Sequence, residues 1–122
     1  MKAIKTITFK KSDKEIIRSY LEFTKPIHKL TDREMNFLTE LIHKYYVEKE
    51  YFKREEDLWK KVFDYDSKLE YKKNLGIQDT SLQNLLSTLR KKKAINRDRV
   101  VESFIPDLSK DELILAYRWI KS

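Results

Sequence analysis

A chain of 122 residues has room for one domain around one core, so a second active unit is not expected. Its net charge of +7 favours an acidic partner, nucleic acid first and a membrane surface or acidic protein second, although Lys and Arg alternate with Asp and Glu for most of the length. The lack of cysteine excludes disulfides and thiolate metal sites and fits a reducing cytoplasm, and with no long apolar run neither a transmembrane helix nor a signal peptide is expected.

In chain order, the β-branched run Ile4 to Phe9 reads as an edge strand over 3–9. Ser12 with Glu15 forms a capping-box pair that opens a helix over 13–23, with Ile16, Ile17, Tyr20, Leu21 and Phe23 at helical spacing and Pro26 as its stop. Thr31 and Glu34 form the clearest box in the chain. It starts a long helix over 31–48 whose apolar stripe is Met35, Leu38, Leu41, Ile42, Tyr45 and Tyr46. After a charged loop, Leu58, Trp59, Val62 and Phe63 mark a short helix over 57–63.

The stretch from Ser67 to Ile95 is the expected organising centre. Ser67 with Glu70, and Thr80 with Gln83, are capping-box pairs that predict helices over 67–75 and 80–92. Between them lies Gly76, the one glycine of the chain, where a sharp helix end demands a positive φ. The core expected from these patterns is Leu38, Leu41, Ile42, Leu75, Ile77, Leu82, Leu85, Leu86 and Leu89. Beyond Ile95, Asn96 to Arg99 is turn-like and Val100 to Ile105 is apolar up to Pro106. The segment 112–120 carries both a helix start, Ser109 with Glu112, and a β-like alternation of Leu113, Leu115, Tyr117 and Trp119.

This unit resembles a helix-turn-helix, and more loosely the winged helix-turn-helix domains in which such a unit is followed by a β-hairpin. Counted from Lys68, the turn glycine of the family falls on Gly76 and its apolar positions on Tyr71, Leu75, Ile77, Leu82 and Leu85. One position departs: Lys72 stands where the family prefers a small residue, which implies a wider helix crossing or a first helix in a different register. The resemblance implies an α+β, mostly helical fold with a small antiparallel sheet from 3–9, 94–96 and 112–120, and it decides in favour of a strand at 112–120. The whole chain, 1–122, would then be a single winged-helix-like domain, with the helix-turn-helix unit at 67–93 and the wing hairpin at 94–120.

Leu82, Leu85, Leu86 and Leu89 form the inner stripe of the second motif helix, which leaves Ser81, Gln83, Asn84, Ser87, Thr88 and Lys91 outward. Gln and Asn can pair with adenine, and Ser and Thr suit bases or phosphates; the same face also fits a solvated surface or one packed on another protein. Arg90, Lys91, Lys92 and Lys93 suit phosphate contact and equally the negative end of the helix dipole. Arg97 and Arg99 fall near the tip of the wing, where either DNA contact or plain loop solubility explains them. Lys72 and Lys73 read as solvated helix surface, and the acidic groups Glu55-Glu56-Asp57 and Asp64 with Asp66 as solvated charge. His28 and His43 lie in no metal-ligand or nucleophile motif, so neither catalysis nor a metal or other cofactor is expected.

The leading expectation is a small basic winged-helix protein that reads double-stranded DNA with the helix at 80–92, a transcriptional regulator or replication accessory factor in the cytoplasm of a bacterial or phage-infected cell, with no membrane partner. The alternative is an interaction or structural module of the same fold that joins itself or other proteins of a large assembly, such as a phage virion. The Lys-, Ile-, Asn- and Tyr-rich composition resembles that of AT-rich phages and bacteria.

Overall fold

A computed structural model describes residues 12–108. In chain order these form α1 (Asp13–His28), α2 (Asp32–Glu48), a 3-10 turn (Lys49–Tyr51), α3 (Glu55–Val62), α4 (Tyr65–Leu75), α5 (Asp79–Lys91) and a second 3-10 turn (Glu102–Phe104). The hub is α2, not the α4–α5 unit. Met35, Phe37, Leu38, Leu41, Ile42 and Tyr45 are all buried on α2, and so are Glu34, Thr39 and Glu40. Helix α2 packs against α1, α3, α4 and α5, so the polar residues it buries there need partners within the protein, while Asp32, Arg33, Asn36 and Val47 stay exposed. Thr39 donates to the Met35 carbonyl at 2.7 Å, and Glu40 accepts from Lys14 of α1 at 2.7 Å.

Both early capping signals hold. Ser12 Oγ accepts the Glu15 N–H, and the Thr31–Glu34 box is complete in both directions. Pro26, however, does not end α1, which runs on to His28. The ring removes the donor for one carbonyl, that of Glu22, but lies in the last turn, where little of the ladder remains to be lost. Thr24 Oγ1 donates to the carbonyls of Tyr20 and Leu21, and His28 Nε2 lies 2.7 Å from the Leu21 oxygen. His28 Nδ1 accepts from Leu30 N–H at 2.9 Å, so this histidine knits the α1 end into the turn that follows.

Helix α4 starts two residues before the predicted Ser67. Its cap is Asp64, whose Oδ1 accepts the Ser67 N–H at 2.7 Å, while the Ser67 hydroxyl is buried and donates to the Lys61 carbonyl at 2.6 Å. Burial would raise the Asp64 carboxyl, but the Ser67 N–H and Lys61 outweigh it and hold the group below its ordinary value. Tyr71 donates to Val62 O at 2.7 Å and meets Phe37 edge to face, which ties α4 to both α3 and the hub. Burial pushes the Tyr71 phenol well above its ordinary value. Trp59 of α3 stacks on Tyr45 with ring centroids 4.6 Å apart.

The expected antiparallel sheet is contradicted: among the described residues there is no strand, and the chain is mostly helical. Ile95, assigned to a wing arm paired with 112–120, bridges instead to Val100 five residues on. Arg97 takes a left-handed conformation (φ 58) that closes a tight turn, with Asn96 N–H donating to Arg99 O and Val101 N–H to Ala94 O, each at 2.9 Å. Ala94, Ile95 and Val100 are buried at its base, so core contacts hold this hairpin turn in place of a sheet. The chain then crosses α1 and α2: Tyr20 donates to Ser103 O, Tyr46 to Pro106 O, and Phe104 packs on the His28 ring. The predicted strands at 3–9 and 112–120, the helix start at Ser109, and hence the wing at 94–120 beyond residue 108, lie outside the described residues.

Candidate nucleic-acid interface

The α4–α5 unit is built around its turn. Gly76 has φ 63, its N–H reaches the Lys73 carbonyl, and the Ile77 N–H bonds Lys72 O at 3.0 Å, a Schellman closure that stops α4 within a residue. Leu82 and Tyr71 are buried, and Leu75, Ile77 and Leu85 pack against the core at partial burial, so the apolar positions that carried the resemblance do point inward. Lys72 lies beside the crossing, where it pairs with Asp79 of α5 at 3.6 Å.

Helix α5 starts at Asp79 after Gln78, which makes no side-chain cap bond; Thr80, the expected cap, is already inside the helix. Leu82, Leu86 and Leu89 fix its inner side. At 3.6 residues per turn, Thr80, Asn84, Ser87 and Lys91 then run along the opposite side with Gln83 and Arg90 on one flank, and all six are exposed. The helix ends in a second Schellman closure, with Ala94 N–H on Leu89 O at 2.9 Å, but its left-handed residue is Lys93 (φ 62), not a glycine.

The predicted contact residues divide into three groups. Gln83, Asn84, Ser87, Arg90 and Lys91 share the outward side of α5, and Lys93 and Arg97 are exposed in the turns just past the helix end. The hairpin tip sits against the last turn of α5, since Arg90 meets Asp98 at 3.5 Å. Ser81, Thr88 and Lys92 instead line a groove of about 340 Å³ between α5 and the first turn of α2, together with Thr31, Arg33, Glu34 and Leu85, and the exposed Asn84 belongs both to this lining and to the outward side. Arg99 faces elsewhere: it lines a cavity of about 560 Å³ with Tyr45, Tyr46, Lys49, Trp59 and Glu102.

Charge separates these regions. Residues 80–99 hold six Lys or Arg and one acidic residue, Asp98, whereas residues 44–70 hold seven basic and eight acidic ones. In the latter, Lys44 is paired with both Glu48 and Glu70, and Lys61 with Asp64. Burial alone would lower the Lys44 ammonium, but the hydrogen bond it donates to Glu70 and the charges of Glu70 and Glu48 raise it. Lys91, Lys93 and Arg97 pair with no acidic side chain among the described residues. Sequence reading missed Arg33, exposed at the groove and likewise without an ion-pair partner there; its place in a capping-box motif gave no sign that α5 would lie beside it.

Among the described residues no cluster of His, Asp and Glu could hold a metal ion, and no helix is long and apolar enough to cross a membrane. The arrangement offers hydrogen-bonding amides and hydroxyls on a convex helix side, flanked at one end by cations. No family model, curated protein or solved structure matches this chain.

Proposed function

We propose that this chain is a cytoplasmic double-stranded-DNA-binding protein that lays the outward side of α5 against the duplex. The observation that carries the reading is the group of cations without acidic partners among the described residues, Lys91, Lys93 and Arg97, at the end of a helix side made of Gln83, Asn84 and Ser87, in a chain whose charges are elsewhere nearly balanced. Phosphate neutralisation supplies sequence-independent affinity, and Gln and Asn supply paired hydrogen bonds to base edges. Lys91, Lys93 and Arg97 take the phosphate role; Gln83 and Asn84 take the base role. Ser81, Thr88, Lys92 and Arg99 drop out of the contact set, because the groove and the cavity hold them away from that side. A regulatory or replication-accessory role is the use to which such a domain is put.

The test is binding to duplex DNA across a salt series. Lys91→Ala is expected to weaken binding to all sequences alike and to lower the magnitude of the log-affinity against log-salt slope by about 1; Gln83→Ala is expected to cost about 1–3 kcal/mol at a preferred site and little elsewhere. A flat response to both would reject the reading. A second reading, a module that joins proteins of a large assembly, draws on Tyr65 and Leu69, which stand 73% and 41% exposed one turn apart on α4. It predicts that Tyr65→Ala abolishes association with a partner and leaves DNA binding as it was.

A further inference from the structure

Lys92 looks in sequence like one more member of the basic run Arg90 to Lys93, yet its surroundings differ from those of its neighbours. Its Nζ lies 2.7 Å from Glu34 Oε1, and the Glu34 side chain is only 4% exposed. The same oxygen accepts the Thr31 N–H at 2.7 Å, so the first turn of the hub helix and the residue that caps α5 meet on one atom. Burial alone would raise the Glu34 carboxyl, but the bonds from Lys92 and Thr31 prevail and keep it below its ordinary value, hence ionised. Glu34 Oε2 is buried without a hydrogen-bond partner among the described residues, so apart from Thr31 the carboxylate leans on Lys92, its one cationic partner there. A buried carboxylate with one cationic partner cannot release it cheaply to a phosphate.

Apolar packing through Leu82, Leu86 and Leu89 draws α5 onto the core but does not by itself fix its rotation, since the hydrophobic effect is non-directional. A short charge-assisted hydrogen bond at the helix end is directional. Resting on the DNA-binding reading above, we propose that Lys92 touches no phosphate and is a positioning residue, whose bond to Glu34 sets the roll of α5 so that Gln83, Asn84, Ser87 and Lys91 face the duplex.

The experiment compares Lys91→Ala, Lys92→Ala, Lys92→Arg and Glu34→Gln in fluorescence anisotropy with a random-sequence duplex oligonucleotide over a salt series, at a temperature where circular dichroism shows each variant folded. Glu34→Gln keeps a residue type that serves in a capping box, so the start of α2 survives the change. Lys91→Ala is expected to reduce the salt slope by about 1. Lys92→Ala is expected to keep the wild-type slope while losing affinity by the same factor at every salt concentration, on the order of tenfold given the coupling typical of bonded residues. Glu34→Gln should match that loss. Lys92→Arg, whose fork can engage the carboxylate, should restore binding. A Lys92→Ala slope reduced like that of Lys91→Ala would make Lys92 a phosphate contact and overturn the positioning role alone. Unchanged slope and affinity in Lys92→Ala would also overturn it. A wild-type protein that fails to bind the duplex, or a Lys91→Ala variant with an unaltered slope, would remove the DNA-binding reading and this role with it.

Discussion

Helices α2 and α5 are of similar length, 17 and 13 residues, but they are used in opposite ways. Helix α2 is buried along most of its length: even Thr39 and Glu40 on it are buried, each with a partner, and its first turn is closed by a complete capping box. Helix α5 buries one leucine stripe, begins without a side-chain cap and leaves its polar side open. A helix buried along most of its length serves chiefly as support. One with an uncommitted polar side, ending in cations that have no acidic partner among the described residues, is where binding can be added without loss of the fold.

The widest gap that this contrast predicts is in stability. Leu38→Ala on α2 and Leu82→Ala on α5 remove fully buried side chains and should each cost about 2–5 kcal/mol in urea denaturation, while Gln83→Ala and Ser87→Ala should stay within about 0.5 kcal/mol. Leu85, only partly buried, should fall between. A large loss at Gln83 would show that the open side of α5 is already occupied within the protein.

Backbone strain gives a smaller effect of known sign. A Cβ at Gly76 meets nothing within 4 Å, so Gly76→Ala pays only for its left-handed φ, about 1–2 kcal/mol. Lys29, left-handed at the end of α1 (φ 58), is the converse: Lys29→Gly should stabilise by roughly 0.5–1 kcal/mol, read as a raised thermal midpoint.

The smallest effect is electrostatic and belongs to the hub. Burial, followed by the charge of Lys14, holds the His43 imidazole below its ordinary value, and Glu40 and Asp13 offset this only in part. The unfolded chain therefore binds the proton more readily, so stability falls as pH drops through and below the ordinary histidine range. His43→Gln should flatten that decline over about pH 7.5 to 5.5, where histidine titrates. An equal slope in both proteins would place His43 in water.

The contrast also explains what could be read from sequence. The Ser12 and Thr31 caps, the turn at Gly76 and the leucine stripe of α5 are local signals, carried by residues three or four apart, and they hold. What could not be read is set by distant partners. Lys92 and Glu34 are 58 residues apart in sequence, and nothing near Lys92 distinguishes it from Lys91. The burial of Thr39 and Glu40 depends on the helices that surround α2. The wing was expected by resemblance; the chain places Arg97 in a left-handed turn, where a glycine would have announced the hairpin and an arginine does not. For the same reason Lys29 and Lys93 gave no sign of ending their helices.

In the DNA-binding reading proposed above, the open side of α5, with Lys93 and Arg97, meets the duplex, while the surface of α3 does not. Backbone amide NMR of the labelled protein, titrated with a random duplex oligonucleotide, tests it most directly. Shifts should concentrate on Gln83, Asn84, Ser87, Lys91, Lys93 and Arg97 and leave Glu55 to Val62 unmoved. Shifts centred on α3, or on Tyr65 and Leu69 of α4 with α5 silent, would contradict the account.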